Sequence, residues 1–180
     1  SMVMSAFDFD LDEVRVLDAF GGSGALGIEM LSRGARLLTT FEIDRNAARL
    51  ITKNIESLCR DRARWRVVTG DVLASASRGR VPGGPFDLVL LDPPYAFGAE
   101  PVDELLQNLA QQGLLAQGAY ALFEHAAADT GAHPTGFETL REKRYGITSV
   151  DLLRWSATNG ADNADDSDND EDAPLEDAHE

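Results

Sequence analysis

Apolar positions along the chain recur with two periods. Near-continuous apolar runs at Val14–Ala19, Leu37–Phe41, Trp65–Thr69 and Phe86–Leu91 each stop at an acid or a glycine turn. Runs this short, apolar on both faces, suit buried parallel strands rather than half-exposed ones. Between them apolar residues fall three and four apart. Ala25–Arg33 reads as a helix through Ala25, Leu26, Ile28, Met30 and Leu31, with Gly34 as its C-cap. Asp44–Cys59 reads as another through Ala47, Ala48, Ile51, Ile55 and Leu58, with Asp44 as N-cap. Residues 1–7 read as the end of a helix, 74–85 hold a short helix at most, and Pro101–Gln112 is a longer one. Tyr120–Glu124 is a fifth strand, with an irregular region around Gly131–Pro134. Glu138–Tyr145 and Ile147–Trp155, separated by Gly146, predict an antiparallel hairpin closing one sheet edge. Repeated βα units followed by a hairpin predict an α/β protein with a mostly parallel, seven-stranded sheet and helices on both faces.

Composition changes this picture at one place. The 180 residues are 43% hydrophobic, enough for one domain with a good core, but the formal charge is -15. Ten of the acids lie in residues 157–180, which hold no Lys or Arg, so residues 1–156 carry only -5. That segment has Leu175 as its one large apolar side chain and cannot bury enough surface to offset its ordering entropy. The expectation is a domain over residues 1–156 and a disordered acidic tail over 157–180. A single cysteine, Cys59, excludes a disulfide framework and a thiol metal cluster. No apolar run reaches the roughly 18 residues of a membrane span, and no signal-peptide pattern opens the chain. A cytoplasmic, monomeric protein without a metal is expected.

The chemistry concentrates at strand ends. Gly22-Ser23-Gly24-Ala25-Leu26-Gly27 satisfies GxGxxG between a strand and a helix, and Glu42 follows Gly22 by 20 residues, the spacing of a ribose-binding acid. A nicotinamide dinucleotide and S-adenosylmethionine (SAM) both fit that spacing. Asp18 separates them: a pyrophosphate wants N–H groups and no nearby anion, whereas the sulfonium and ammonium of SAM favour a carboxylate. Phe20, Gly22, Ser23 and Gly24 form the turn that lets backbone approach the cofactor. Asp71 either accepts from an adenine amino group, with Val72 beside the ring, or caps a helix. Asp92-Pro93-Pro94-Tyr95 ends the most apolar strand. Its two prolines hold an acceptor pair, the Asp92 carboxylate and the Pro93 carbonyl, next to the Tyr95 ring. Two acceptors drawing on the hydrogens of an exocyclic amine raise the nucleophilicity of its nitrogen, and the ring stacks on the base. Arg141, Lys143 and Arg144 near Tyr145 are candidates for phosphate contacts, and Arg60, Arg62, Arg64 and Arg66 read as solvated surface. His125 reads as a packed or capping residue.

Val16 to Gly27, Phe41-Glu42-Ile43-Asp44, Asp92-Pro93-Pro94-Tyr95 and Arg144-Tyr145-Gly146 together resemble the RsmD-type 16S rRNA guanine-N2 methyltransferases, over residues 1–155. The resemblance implies a Rossmann-like class I SAM-dependent methyltransferase fold with strand order 3-2-1-4-5-7-6. It implies SAM contacts by Asp18, Gly22, Gly24, Glu42 and Asp71, base contacts by Asp92, Pro93 and Tyr95, and 16S rRNA or a small-subunit assembly intermediate as partner. Asp-Pro-Pro-Tyr is also found in adenine-N6 methyltransferases of DNA, and a non-catalytic nucleotide-binding or ribosome-assembly module is a third reading. The family's basic N-terminal segment, with its Arg-Pro-Thr element, has no counterpart in these 180 residues, so weaker closure over SAM is expected of this stretch.

Overall fold

The computed structural model describes residues 2–8 and 10–157. The acidic tail expected over 157–180 therefore lies outside the described residues, Ala157 excepted. Seven strands, β1 (Arg15–Asp18), β2 (Leu37–Glu42), β3 (Trp65–Thr69), β4 (Phe86–Leu91), β5 (Leu115–Ala126), β6 (Phe137–Tyr145) and β7 (Thr148–Trp155), form one sheet in the order β3-β2-β1-β4-β5-β7-β6. β1 to β5 pair in parallel, and β7 runs antiparallel to both β5 and β6. The expected hairpin is there, inserted so that its second strand pairs with β5.

Alternation along the strands divides the core into two layers. Val16, Leu38, Leu88 and Leu90 face α1 (Met2–Ala6), α2 (Ala25–Ser32) and α3 (Arg45–Leu58), which bury Met4, Met30, Leu31, Ile51 and Ile55. Leu17, Val89, Leu91 and Phe123 face α4 (Val72–Ser77) and α5 (Glu100–Gln111), which bury Val72, Ala76, Val102, Leu105 and Leu109. Leu88, Val89, Leu90 and Leu91 are all buried because β4 lies at the centre of the sheet with helices on both sides. Asp87, the polar residue in that run, ties β4 to its neighbour, with its Oδ2 accepting from the Arg15 N–H at 2.8 Å where β1 begins.

Two boundaries differ from the sequence expectation. α4 starts at Val72, directly after β3, because the Asp71 carboxylate accepts from the Leu73 N–H at 2.9 Å and caps it. β5 runs from Leu115 to Ala126, extending past Tyr120–Glu124 at both ends; pairing with β7 carries it through His125, where the apolar pattern alone has faded. Asp44 caps α3 as expected, its Oδ1 accepting from Ala47 N–H at 2.7 Å. Asp44→Ala should destabilise the protein by about 1 kcal/mol, read as a lowered midpoint in urea with an unchanged slope.

Candidate functional site

All parallel strands point their carboxyl ends at one edge of the sheet, the place where open α/β sheets bind ligands. The loops after β1, β2, β3 and β4 line a cavity of about 460 Å³ there, and those after β4 and β5 line a second of about 200 Å³. Asp92, Pro93, Pro94 and Tyr95 line both. The stretch that ends β4 is thus the wall between a larger cavity and a smaller one. Pro94 holds φ -54° and ψ 144°, and a single 3₁₀ turn over Tyr95–Phe97 follows it, so the chain turns away from the strand and leaves the Tyr95 ring exposed at the rim.

The larger cavity is built on the glycine turn. Gly24 lies at φ 79°, a left-handed conformation that starts α2 without a side-chain cap. At Gly27 an added Cβ would sit 2.8 Å from Asp18 Oδ2, so only glycine lets α2 approach the end of β1. Glu42 is held by two backbone donors, Gly22 N–H to Oε2 at 2.7 Å and Asp44 N–H to Oε1 at 2.8 Å. A carboxylate so anchored is rigid and keeps lone pairs for further donors in the cavity. The ring pair Phe20 and Phe97, with centroids 5.2 Å apart and planes at 72°, closes one side, and Asp71, Val72, Leu73 and the exposed Ile43 form the other.

The electrostatics of this edge are acidic. Asp18 is 2% exposed, and its carboxyl is pushed up to about 7, first by burial and then by the charges of Asp92 and Glu42, against the lowering effect of Gly27 and Phe20 backbone N–H groups. Its Oδ2 is buried without a hydrogen-bond partner, as is Oγ1 of Thr40, the residue opposite it in the β1–β2 register. Burial also raises the Asp92 carboxyl. Three acids stand at the ends of β1, β2 and β4, and the charges of Asp92 and Glu42 both raise the Asp18 carboxyl; such an edge repels a pyrophosphate and attracts a cation. SAM carries positive charge on sulfur and nitrogen, so the donor set fits it; the dinucleotide that the GxGxxG spacing also permits does not fit.

The smaller cavity has Tyr95, Phe123, Glu124, His125, Thr130 and Thr148 around Asp92. Glu124 has its carboxyl raised by burial and then by Asp92. His125 packs against Phe123, ring centroids 4.8 Å apart, and bonds through Nε2 to Asp151 Oδ2 at 2.8 Å and through Nδ1 to Ala126 O at 2.9 Å. Gly131 leaves room for that Asp151 carboxylate, and a Cβ there would collide with it.

The structure brings Phe20, Gly22, Glu42, Asp71, Val72, Asp92, Pro93 and Tyr95 together around the larger cavity. Asp18 lies behind its wall rather than in it, buried under the glycine turn, and Ser23 and Gly24 shape the turn from its helix side. Asp71 is a helix cap and a cavity residue at once. Arg141, Lys143 and Arg144 are exposed on the edge strand β6, with Lys143 Nζ 4.9 Å from the Tyr145 ring centroid. They line neither cavity, but Tyr145 pairs with Thr148, which does, so the hairpin turn lies at the same edge of the sheet. In the other basic cluster Arg62 stacks over Trp65 and pairs with Glu56, and Arg64 donates to the Ala35 carbonyl, which gives two of its arginines structural roles. Sequence reasoning missed Phe97, Leu73, Glu124, Thr148 and the His125–Asp151 pair. Glu124, the acid at which the predicted strand Tyr120–Glu124 ends, obeys the rule that picked out Asp18, Glu42 and Asp92, and applying that rule to it would have found it. Among the described residues no group of three or more His, Cys, Asp or Glu is arranged to hold a metal, and no helix is long and apolar enough to cross a membrane.

Residues 2–154 match the protein family described as Conserved hypothetical protein 95. The chain is 31% identical over 152 residues to ribosomal RNA small subunit methyltransferase D of Escherichia coli K12, covering 83% of this chain and 73% of that protein. It is 31% identical over 138 residues to the Haemophilus influenzae protein of the same name, covering 77% and 70%. In three dimensions a Haemophilus influenzae protein described as a methylase superposes with a TM-score of 0.75 at 28% identity, covering 86% of this chain and 96% of that one.

Proposed function

The chain belongs to the family described as Conserved hypothetical protein 95, that of the RsmD-type methyltransferases, and from that premise we propose that it methylates the exocyclic N2 amine of a guanine in 16S rRNA, with SAM as donor. The observation that carries this reading is the Asp92–Tyr95 wall shared by two cavities, the larger sized for a nucleoside-bearing donor and the smaller for one flat base. SAM supplies an electrophilic methyl group on a cationic sulfur. Glu42 accepts from its ribose hydroxyls, Asp71 and Val72 border its adenine, and Asp18 offsets its positive charge from beneath the glycine turn. Asp92 and the Pro93 carbonyl accept the two amine hydrogens, which turns the nitrogen lone pair out of the base plane, and the Asp92 carboxylate takes the proton the nitrogen loses. Tyr95 stacks on a base splayed out of its strand, which single-stranded or loop RNA allows at least cost. Residues 1–156 act as one monomeric unit in the cytoplasm, on 16S rRNA or a small-subunit assembly intermediate.

Tritiated methyl transfer from SAM to 30S subunits, free 16S rRNA and duplex DNA tests the reading. Label in guanine of 16S rRNA supports it; label in adenine of DNA replaces it with the adenine-N6 reading, and absence of SAM binding in calorimetry selects the non-catalytic module. Arg141, Lys143 and Arg144 meet phosphate in this reading. Changing all three to Gln should weaken RNA binding and flatten the slope of log K against log salt by about 2, since each phosphate contact contributes about 0.7 to 0.9. An unchanged slope removes the β6 edge from the RNA interface.

A further inference from the structure

We propose that Glu124 selects the base: its carboxylate accepts the N1–H of the guanine whose N2 amine is held by Asp92 and Pro93, so that the smaller cavity takes guanine and refuses adenine. The inference rests on the proposed reaction and adds to it the residue that sets its specificity.

Asp92 ends β4 and Glu124 lies near the end of β5, the adjacent parallel strand. Both side chains line the smaller cavity, and neither is joined to a described residue by a hydrogen bond or an ion pair. They are close enough that the charge of Asp92 raises the Glu124 carboxyl. Two acceptor groups at adjoining strand ends line one cavity together with Pro93 and Tyr95. Such a set needs a flat ligand with donors along one edge.

Guanine and adenine differ in that pattern. The Watson–Crick edge of guanine offers the two N2 hydrogens and, beside them, the N1–H, three donors in a row. Adenine offers two N6 hydrogens beside N1, which is an acceptor. Asp92 and Pro93 accept from either amine and cannot tell the bases apart. An ionised Glu124 bonds guanine N1–H and faces adenine N1 lone pair to lone pair. A site built to hydrogen-bond one group rejects an analogue that lacks it, because its own polar atoms are then left unpaired. His125 does not compete for the base, since both ring nitrogens are engaged by Asp151 and Ala126.

2-Aminopurine separates the two roles, because it keeps the methyl-accepting amine and has an acceptor at N1. The experiment locates the methylated guanine in 16S rRNA and rebuilds the small subunit from ligated rRNA with 2-aminopurine at that nucleotide. Transfer to the two substrates is then compared for the wild type and for Glu124→Gln. The wild type should prefer guanine by about 5- to 150-fold, the range of a good side-chain-to-base pair. In Glu124→Gln the amide oxygen still accepts guanine N1–H and the amide N–H can donate to the 2-aminopurine N1, so the preference should fall toward about one, chiefly through gained 2-aminopurine transfer. SAM affinity, measured by calorimetry, reports that the variant is folded. Equal use of both bases by the wild type overturns the proposal without needing any variant, and so does a Gln variant that keeps the wild-type preference. Wild-type label found only outside guanine overturns the proposed reaction itself, and is thereby told apart from a failure of Glu124 alone.

Discussion

Asp92→Ala lowers methyl transfer by about 10²- to 10³-fold while SAM still binds, the size of effect seen when one preorganised polar group is taken from a reacting centre. The reason lies in where Asp92 stands. It lines both cavities at the end of β4, so in the proposed reaction its carboxylate faces the amine at the point where the lone pair must leave the base plane. The strand below it, Leu88 to Leu91, is buried on both sides, and Pro93 and Pro94 fix the backbone above it, so the backbone cannot shift to bring another acceptor to the place of the lost one. Asp92→Asn keeps the shape and one acceptor but loses the proton acceptor, so it should sit close to alanine in kcat rather than close to wild type. Because burial raises this carboxyl, the acid limb of kcat should lie above the ordinary aspartate value of about 3.9 and should vanish in the Asn variant. Turnover that survives Asp92→Ala unchanged, measured with saturating SAM, removes Asp92 from the chemistry.

Asp18→Asn stabilises the ligand-free protein at pH 8 and leaves it unchanged near pH 3.5. In the folded state this carboxyl is raised from 3.8 to about 7, so the folded protein holds its proton where the unfolded chain has released it. Stability contributed by the protonated form is complete below about pH 3.8 and is lost progressively as pH rises to about 7. Three pH units correspond to roughly 4 kcal/mol, of which the Asn variant should recover a large share. Asp92, Asp103 and Glu124 are raised as well, so the informative quantity is the difference between the two urea-stability curves across pH 4–8, in which Asp103 and Glu124, remote from Asp18, cancel. A cation beside Asp18 reverses the balance. SAM should therefore bind the wild type more tightly as pH rises toward 7, with proton release in calorimetry, and the Asn variant should lose both the pH dependence and part of the affinity. Parallel stability curves for the two proteins would show that Asp18 titrates in the folded state as it does in the unfolded one.

The two effects share an origin. Acids are gathered at the carboxyl edge of the sheet at a cost in stability, and that cost is offset only when a positively charged donor arrives. A protein selected for stability alone would place Asn or Ser at position 18, where Oδ2 has no partner and Thr40 Oγ1 beside it has none either.

The strands β1 to β4, the helices α2, α3 and α5, and the closing hairpin could be read from apolar period and from the turn residues Gly24, Gly34, Asp44 and Gly146, because each is decided by neighbours in the chain. So could the acids that end β1, β2, β3 and β4, since a carboxylate after an apolar run marks a strand end and a ligand edge together. The seven-strand order followed from the family likeness carried by those motifs. Whether Asp71 caps a helix or borders a cavity could not be read locally, and in the fold it does both. Only the tertiary structure extended β5 to Ala126, because its last residues are held by hydrogen bonds from β7, some twenty residues further on, and not by their own pattern. That extension puts His125 against Asp151, and the β4–β5 register, Leu91 opposite Phe123, puts Glu124 beside Asp92. It also divided the space around Asp92–Tyr95 in two: a strand end seen in sequence is a single point, and the cavities on either side of it exist only once loops from β1 to β5 have closed around it.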